Sequence, residues 1–160
     1  MAQLYTIGTL WLSLGLHTIT SVLLLIALGF MIHASVEFSD KEDVAYAGDG
    51  VALAYNLFIL GWAYYIHKKR TPTSPQRIDL TWTTYFEFAM CVLLACCSII
   101  PWLNLVRTRE CGMDRATCEA LWFRPAKPYL RNAFLLMLGA AGAEFLLWVH
   151  TCVWSRQSKE

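Results

Sequence analysis

The sequence predicts an all-α integral membrane protein, a four-transmembrane-helix bundle forming a single domain over residues 1–160. Three observations predict it. Hydrophobic residues make up 57% of the chain and charged residues only 16%, against about half and about a quarter in soluble domains. Mean hydropathy is +0.44, which implies more apolar surface than a water-soluble core of this size can hide. Four stretches are each long enough to cross the bilayer, which takes about 20 mainly apolar residues for ~30 Å of hydrocarbon.

The first stretch, 7–33, is centred on Leu23-Leu24-Leu25-Ile26. It exceeds the ~7–15 apolar residues of a signal peptide, and no Lys or Arg precedes it, so it is expected to stay as a spanning helix. The second, 46–66, opens on Gly48-Asp49-Gly50, which makes it the weakest of the four. It ends in Trp62, Tyr64 and Tyr65, followed by His67-Lys68-Lys69-Arg70. The third covers 80–106 and the fourth 129–154, stopping before Arg156. Tyr5, Tyr64, Tyr65, Trp82, Trp102, Tyr129 and Trp154 sit near these ends, as an interfacial aromatic belt requires.

The connections are short and polar. An acidic one carries Glu37, Asp40, Glu42 and Asp43; the next contains Pro72 and Pro75, which prevent helix continuation. The longest, 107–128, carries Cys111 and Cys118. No internal repeat or heptad tract is evident.

Four spans put both termini on one face. The Lys68-Lys69-Arg70 cluster abutting a helix end favours that face as cytoplasmic. The count of Lys and Arg is nearly balanced, six on that face and seven on the other, so the dense cluster decides. The same orientation puts Cys111 and Cys118 outside, in an oxidising compartment where two nearby cysteines pair readily. A disulfide between them is expected, with two free thiols as the alternative. The localisation expected is multi-pass, in the plasma membrane or the secretory pathway. Cys91, Cys96, Cys97 and Cys152 fall within spans as small packing residues.

The net charge of +1 provides no field to recruit nucleic acid. No Walker loop, His-rich metal site, nucleophile elbow or paired-carboxylate site occurs in a soluble segment. The reading is therefore no enzyme, no catalytic residue, no cofactor and no metal, with membrane lipids and a second copy or other membrane proteins as partners.

Ionisable groups inside spans are costly and each calls for a partner. His17, Glu87 and Glu144 stand out. At ~1.5 Å per residue, Glu87 lies ~10 Å from its helix start and His17 and Glu144 ~15 Å from the same face, so the three share a similar depth. Brought together, they would let a carboxyl share a proton or pair with imidazolium. One reading is a proton or ion relay. The other, favoured because no second polar layer completes a path, is a satisfied contact that fixes helix register. Asp49 reads as an interfacial cap, with Arg131 as the alternative partner.

Small residues four apart admit close backbone approach. Gly139 with Ala143, and Gly48 with Ala52, form such faces, as do Gly50 and Ala54. Packing within the bundle is the simpler use of them, and a homo-oligomer or partner contact the functional one.

The four-span layout, the Cys111/Cys118 loop and the fourth span Leu138-Gly139-Ala140-Ala141-Gly142-Ala143-Glu144-Phe145-Leu146-Leu147-Trp148 together resemble the MARVEL tetraspan group, particularly its short fungal members. The polar start of the second span and the arginine-rich loop depart from that pattern. The resemblance implies membrane apposition, microdomain organisation or vesicle trafficking, without catalysis or cofactor. The function expected is accordingly a non-enzymatic tetraspan that organises membrane or scaffolds other membrane proteins. The alternatives are an accessory subunit of a larger membrane enzyme or transport complex, and a small proton-coupled carrier.

Overall fold

The computed structural model describes residues 7–38, 43–69, 80–107 and 127–157, and all of them are α-helical. The helices are α1 (Ile7–Phe38), α2 (Asp43–Lys69), α3 (Leu80–Arg107) and α4 (Lys127–Gln157). Each contains a segment long and apolar enough to span a membrane: Trp11–Glu37, Asp43–Tyr65, Thr83–Leu103 and Pro128–Val153. The chain is thus an all-helical tetraspan, with long apolar helices packed as a bundle. Cys111 and Cys118, with their expected disulfide, lie outside the described residues.

The helices extend past the spans read from the sequence, most at the end of α1 and the start of α2. α1 runs past His33 to Phe38. α2 begins at Asp43 and carries Gly48-Asp49-Gly50 inside the helix, because a carboxylate in the first turn suits the positive end of the helix dipole and two glycines cost a helix only ~1 kcal/mol each. Pro128 falls in the first turn of α4, where its missing N–H has no intrahelical partner to lose. Pro101, by contrast, lies inside α3.

Extended contacts join α1 to α2, α2 to α3, α3 to α4 and α4 to α1, so the helices form a ring in chain order. α4 is the best-held element, with broad seams to α1 and α3, whereas both seams of α2 are thinner. The inward residues recur at alternating steps of three and four: His17, Thr20, Leu24, Ala27, Met31 and Ala34 along α1, and Leu130, Ala133, Met137, Ala140, Glu144, Leu147 and Thr151 along α4. That spacing is the seam of a left-handed bundle. The outward faces carry bulk as well, for example Trp11, Ile19, Phe58, Trp62, Phe86 and Leu146. The inward stripes thus mix leucine and methionine with small and polar residues, while many outward positions are also large and apolar. This is the arrangement expected when lipid tails are as good a solvent for Leu as the core is.

The expected small-residue faces divide in two. Gly48 is buried, and a Cβ placed there would lie 2.6 Å from Cys97 Cβ and 2.5 Å from Cys97 Sγ, so a hydrogen at this position sets the approach of α2 to α3. Ala52 and Ala143 are buried as well. Gly139 sits at the edge of the α1–α4 seam, where a Cβ would meet Leu23 at 3.8 Å. Gly50 and Ala54 face outward.

The two glycines give a paired prediction. Gly48→Ala should force α2 away from α3 and destabilise the bundle by about 1–3 kcal/mol, the usual cost of overpacking. Gly50→Ala, with nothing within 4 Å of the added carbon, should leave stability unchanged or raise it by up to ~1 kcal/mol. Unfolding by heat or by SDS titration in detergent micelles compares the two.

Candidate functional site: a polar layer inside the bundle

Every helix contributes polar side chains to the interior, and their positions follow from the inward stripe. On α1 the stripe places His17 one turn before Thr20; on α2 it places Asn56 one turn after Ala52; on α4 it places Glu144 two turns before Thr151. All six are buried.

Asn56 is the centre of the layer. Its Nδ2 donates to Glu144 Oε1 at 2.7 Å and to the backbone carbonyl of Ala52 at 2.9 Å. Its Oδ1 lies 2.7 Å from His17 Nδ1. The Ala52 carbonyl fixes the orientation of the amide, because only the NH2 group can face a carbonyl oxygen. Oδ1 can then only accept, so His17 Nδ1 carries hydrogen and donates. One amide thus links α1, α2 and α4, and reaches α4 across the ring from α2. His17 also meets the ring of Tyr55 edge-on, with centroids 6.2 Å apart, and Tyr55 stacks on Phe86 of α3.

Glu87 joins the remaining pair of helices. Thr151 Oγ1 lies 2.8 Å from Glu87 Oε2 and 2.9 Å from the carbonyl of Leu147. The threonine hydroxyl has one hydrogen for these two acceptors. The Thr151 hydroxyl donates to the Glu87 carboxyl with the Leu147 carbonyl as its competing acceptor. No hydrogen bond links Glu87 to Glu144, whose Oε1 is held by Asn56 and whose Oε2 has no partner.

The structure thus brings His17 and Glu144 together through Asn56, and places Glu87 in a neighbouring contact of its own with Thr151. Neither Asn56 nor Thr151 was read from the sequence, because the search there was for groups that ionise. The available signal was the three–four spacing His17/Thr20 and Ala52/Asn56 within otherwise apolar helices. Asp49 is a correction. It is not an interfacial cap and does not meet Arg131, which is exposed; its side chain is 0% exposed, because the helix now includes it and the Gly48–Cys97 approach turns it inward.

Several of these buried atoms have no hydrogen-bond partner: both oxygens of Asp49, Oε2 of Glu144, Oγ1 of Thr20 and the hydroxyl of Tyr55. Among the described residues no group of three His, Cys, Asp or Glu side chains could hold a metal ion, and Cys91, Cys96, Cys97 and Cys152 form no disulfide. The interior therefore offers isolated oxygen acceptors at several depths rather than one chelating cage.

No family model, no curated protein and no solved structure matches this chain. What stands is the architecture: four helices, four candidate membrane spans and a polar layer that the bundle encloses.

Replacing the central amide tests how much the layer contributes. Asn56→Leu strips His17 and Glu144 of their partner and should destabilise the protein by about 1–3 kcal/mol, since buried orphaned groups cost that much while intramembrane hydrogen bonds average nearer ~0.6 kcal/mol. His17→Leu in the Asn56→Leu background should recover part of the loss. A double-mutant cycle of SDS-unfolding free energies that showed no coupling between the two positions would refute the link.

Proposed function

We propose that this chain is a non-enzymatic tetraspan membrane protein that organises membrane microdomains or scaffolds other membrane proteins, by lateral association of its outward helix faces. The observation that carries the reading is the outer surface of α2. Gly50, Ala54 and Gly61 face away from the bundle, and around the two glycines nothing lies within 4 Å of where a side chain would start. The exposed rings of Phe58, Trp62, Tyr64 and Tyr65 border this furrow. Small residues one turn apart on a lipid-facing helix, here Gly50 and Ala54, allow another helix to approach closely, and such contacts drive association where no hydrophobic gain is available. Gly142 leaves a similar opening on α4.

The described residues support this reading in a second way: they are spent almost wholly on spans. A place in the MARVEL group, with the roles in apposition and vesicle trafficking that it implies, belongs to the same proposal. It rests on the four-span layout and the small-residue fourth span.

Single cysteines at Gly50 and Gly61 test the surface in native membranes, with one at Ile19 on the outward face of α1 as comparison. The two α2 positions should cross-link into a ladder of homo-oligomers or into adducts with other membrane proteins, and Ile19→Cys should do so less. Recovery of monomer alone from all three would remove the basis of the proposal. Native electrophoresis then separates its two forms: a ladder supports an organiser, whereas one heteromer of fixed stoichiometry supports an accessory subunit of a larger complex.

A further inference from the structure

We propose that the bundle interior is a proton path, with Glu87, Glu144 and Asp49 as its three stations. Measured along the helices at ~1.5 Å per residue from the span ends that share a face with the termini, Glu87 lies ~6 Å deep, Glu144 ~14 Å and Asp49 ~24 Å. Asp49 is then only ~9 Å from the opposite span end at Asp43. The three carboxyls come from α3, α4 and α2, all are buried, and together they cover most of the membrane's thickness. The second polar layer that the sequence did not reveal is Asp49.

Packing does not explain these groups. An aspartate within a span is costly, up to about 2.5–3.5 kcal/mol at the helix centre on the insertion scale. A structural polar residue offsets such a cost with bonds, as Asn56 does with three. Asp49 makes none with either oxygen, and Glu144 leaves Oε2 bare although Oε1 is held by Asn56. Both carboxyls thus keep an acceptor free inside the bundle. Thr20, whose buried hydroxyl is also without a partner, lies at about the depth of Glu144, ~14 Å, and one turn from Leu24 toward the Asp49 end. Buried carboxyl and imidazole chains of this kind are the usual means of moving protons through a bilayer.

The occupant is a proton rather than a metal cation. The stations are ~8 and ~10 Å apart in depth, and no three ligating side chains converge among the described residues. A cation needs several oxygens at once, whereas a proton needs one. In each step an O–H bond on one carboxyl breaks as an O–H bond forms on the next through intervening water. The proton leaves to the aqueous phase at the far end, and no co-reactant is consumed. By the same rise the buried Leu24, Leu53 and Leu94 lie at ~16–20 Å, between Glu144 and Asp49 in depth, so the path requires water to pass them. The other titratable groups that face this path are His17 from α1, Tyr55 from α2, and Cys91 and Cys97 from α3. His17 is the one tied to a station, and Asn56, whose amide does not relay protons, holds the two apart.

The full chain, reconstituted into vesicles with a trapped pH indicator and an inside-negative potassium diffusion potential, reads the path directly. Wild-type protein should acidify the lumen faster than protein-free vesicles. Glu144→Gln and Asp49→Asn, which keep shape and remove the exchangeable proton, should fall to the protein-free rate, with monodisperse elution and unchanged thermal unfolding showing that they fold. Thr20→Val, isosteric and neutral, should slow the flux, and it carries the test should either carboxamide variant fail to fold. Wild-type flux no greater than in empty vesicles, or equal in wild type and all folded variants, overturns the proposal. An equal current carried by sodium at constant pH overturns the assignment to protons. None of these outcomes depends on whether α2 associates laterally.

Discussion

The carboxamide of Asn56 is the contact on which the arrangement of this bundle depends. In water, four amphipathic helices find their register by hiding apolar stripes. In a bilayer that drive is absent, since the tails solvate Leu and Phe as well as the interior does. Here the outward faces are largely apolar, and polar groups such as His17, Asn56 and Glu144 are buried among leucines and methionines on the inward ones. Something directional must therefore choose which faces turn in, and a group with two donors and an acceptor, all engaged, does so. Because the amide is anchored to its own helix through the Ala52 carbonyl, its bonds to His17 and Glu144 fix the rotation of α1 and α4 about their axes as well as their depth.

The same contact accounts for an imbalance in the packing. α2 has the thinnest seams of the four helices, yet it supplies the central amide, the buried Asp49 and the tight contact of Gly48 against Cys97. A helix held by few side chains is held by a few specific ones. α4 is the opposite case, with alanines at 133, 140, 141 and 143 lining its inner face and giving it broad, close contact with α1 and α3. The bundle thus joins three broadly packed helices, α1–α4–α3, to a fourth positioned by polar and steric contacts, and the outward Gly50, Ala54 and Gly61 lie on that fourth helix.

How much of this was legible in the sequence follows from what each residue had to reveal. The four spans were, because length and apolarity decide them and no tertiary information is needed. His17, Glu87 and Glu144 were visible as candidates, because an ionisable group in a span stands out against its neighbours. Their partners were not. Asn56 and Thr151 carry no charge, and asparagine or threonine in an apolar helix is unremarkable until its face is known. Asp49 was misread for a different reason: flanked by Gly48 and Gly50, it looked like a helix start, whereas the glycines serve two faces at once, Gly48 closing on α3 and Gly50 opening to the outside. Reading each helix for a stripe of small and polar residues, rather than for apolar ones, would have recovered the inner faces of α1 and α4. It would not have given the neighbour order, which depends on which stripes meet.

Near Asp49 a second feature coincides with the first. Pro101 lies inside α3 and has no N–H, so the carbonyl of Cys97, four residues earlier, loses its usual helical donor. Cys97 is the residue against which Gly48 closes. The backbone of α3 is therefore weakest where α2 approaches it most nearly, and the side chain of the adjacent Ser98 bonds back to the Ala95 carbonyl at 3.1 Å rather than across the seam. Prolines within membrane helices are tolerated where other groups or water can serve the freed carbonyl, and such sites are where helices bend. A bend of α3 about Pro101 would open the α2–α3 seam at the depth of Asp49 while leaving the Asn56 layer, some 10 Å away along α2, intact. The fold thus pairs a layer that fixes register with a separate seam, bordered by a proline and a glycine, that can yield without undoing it.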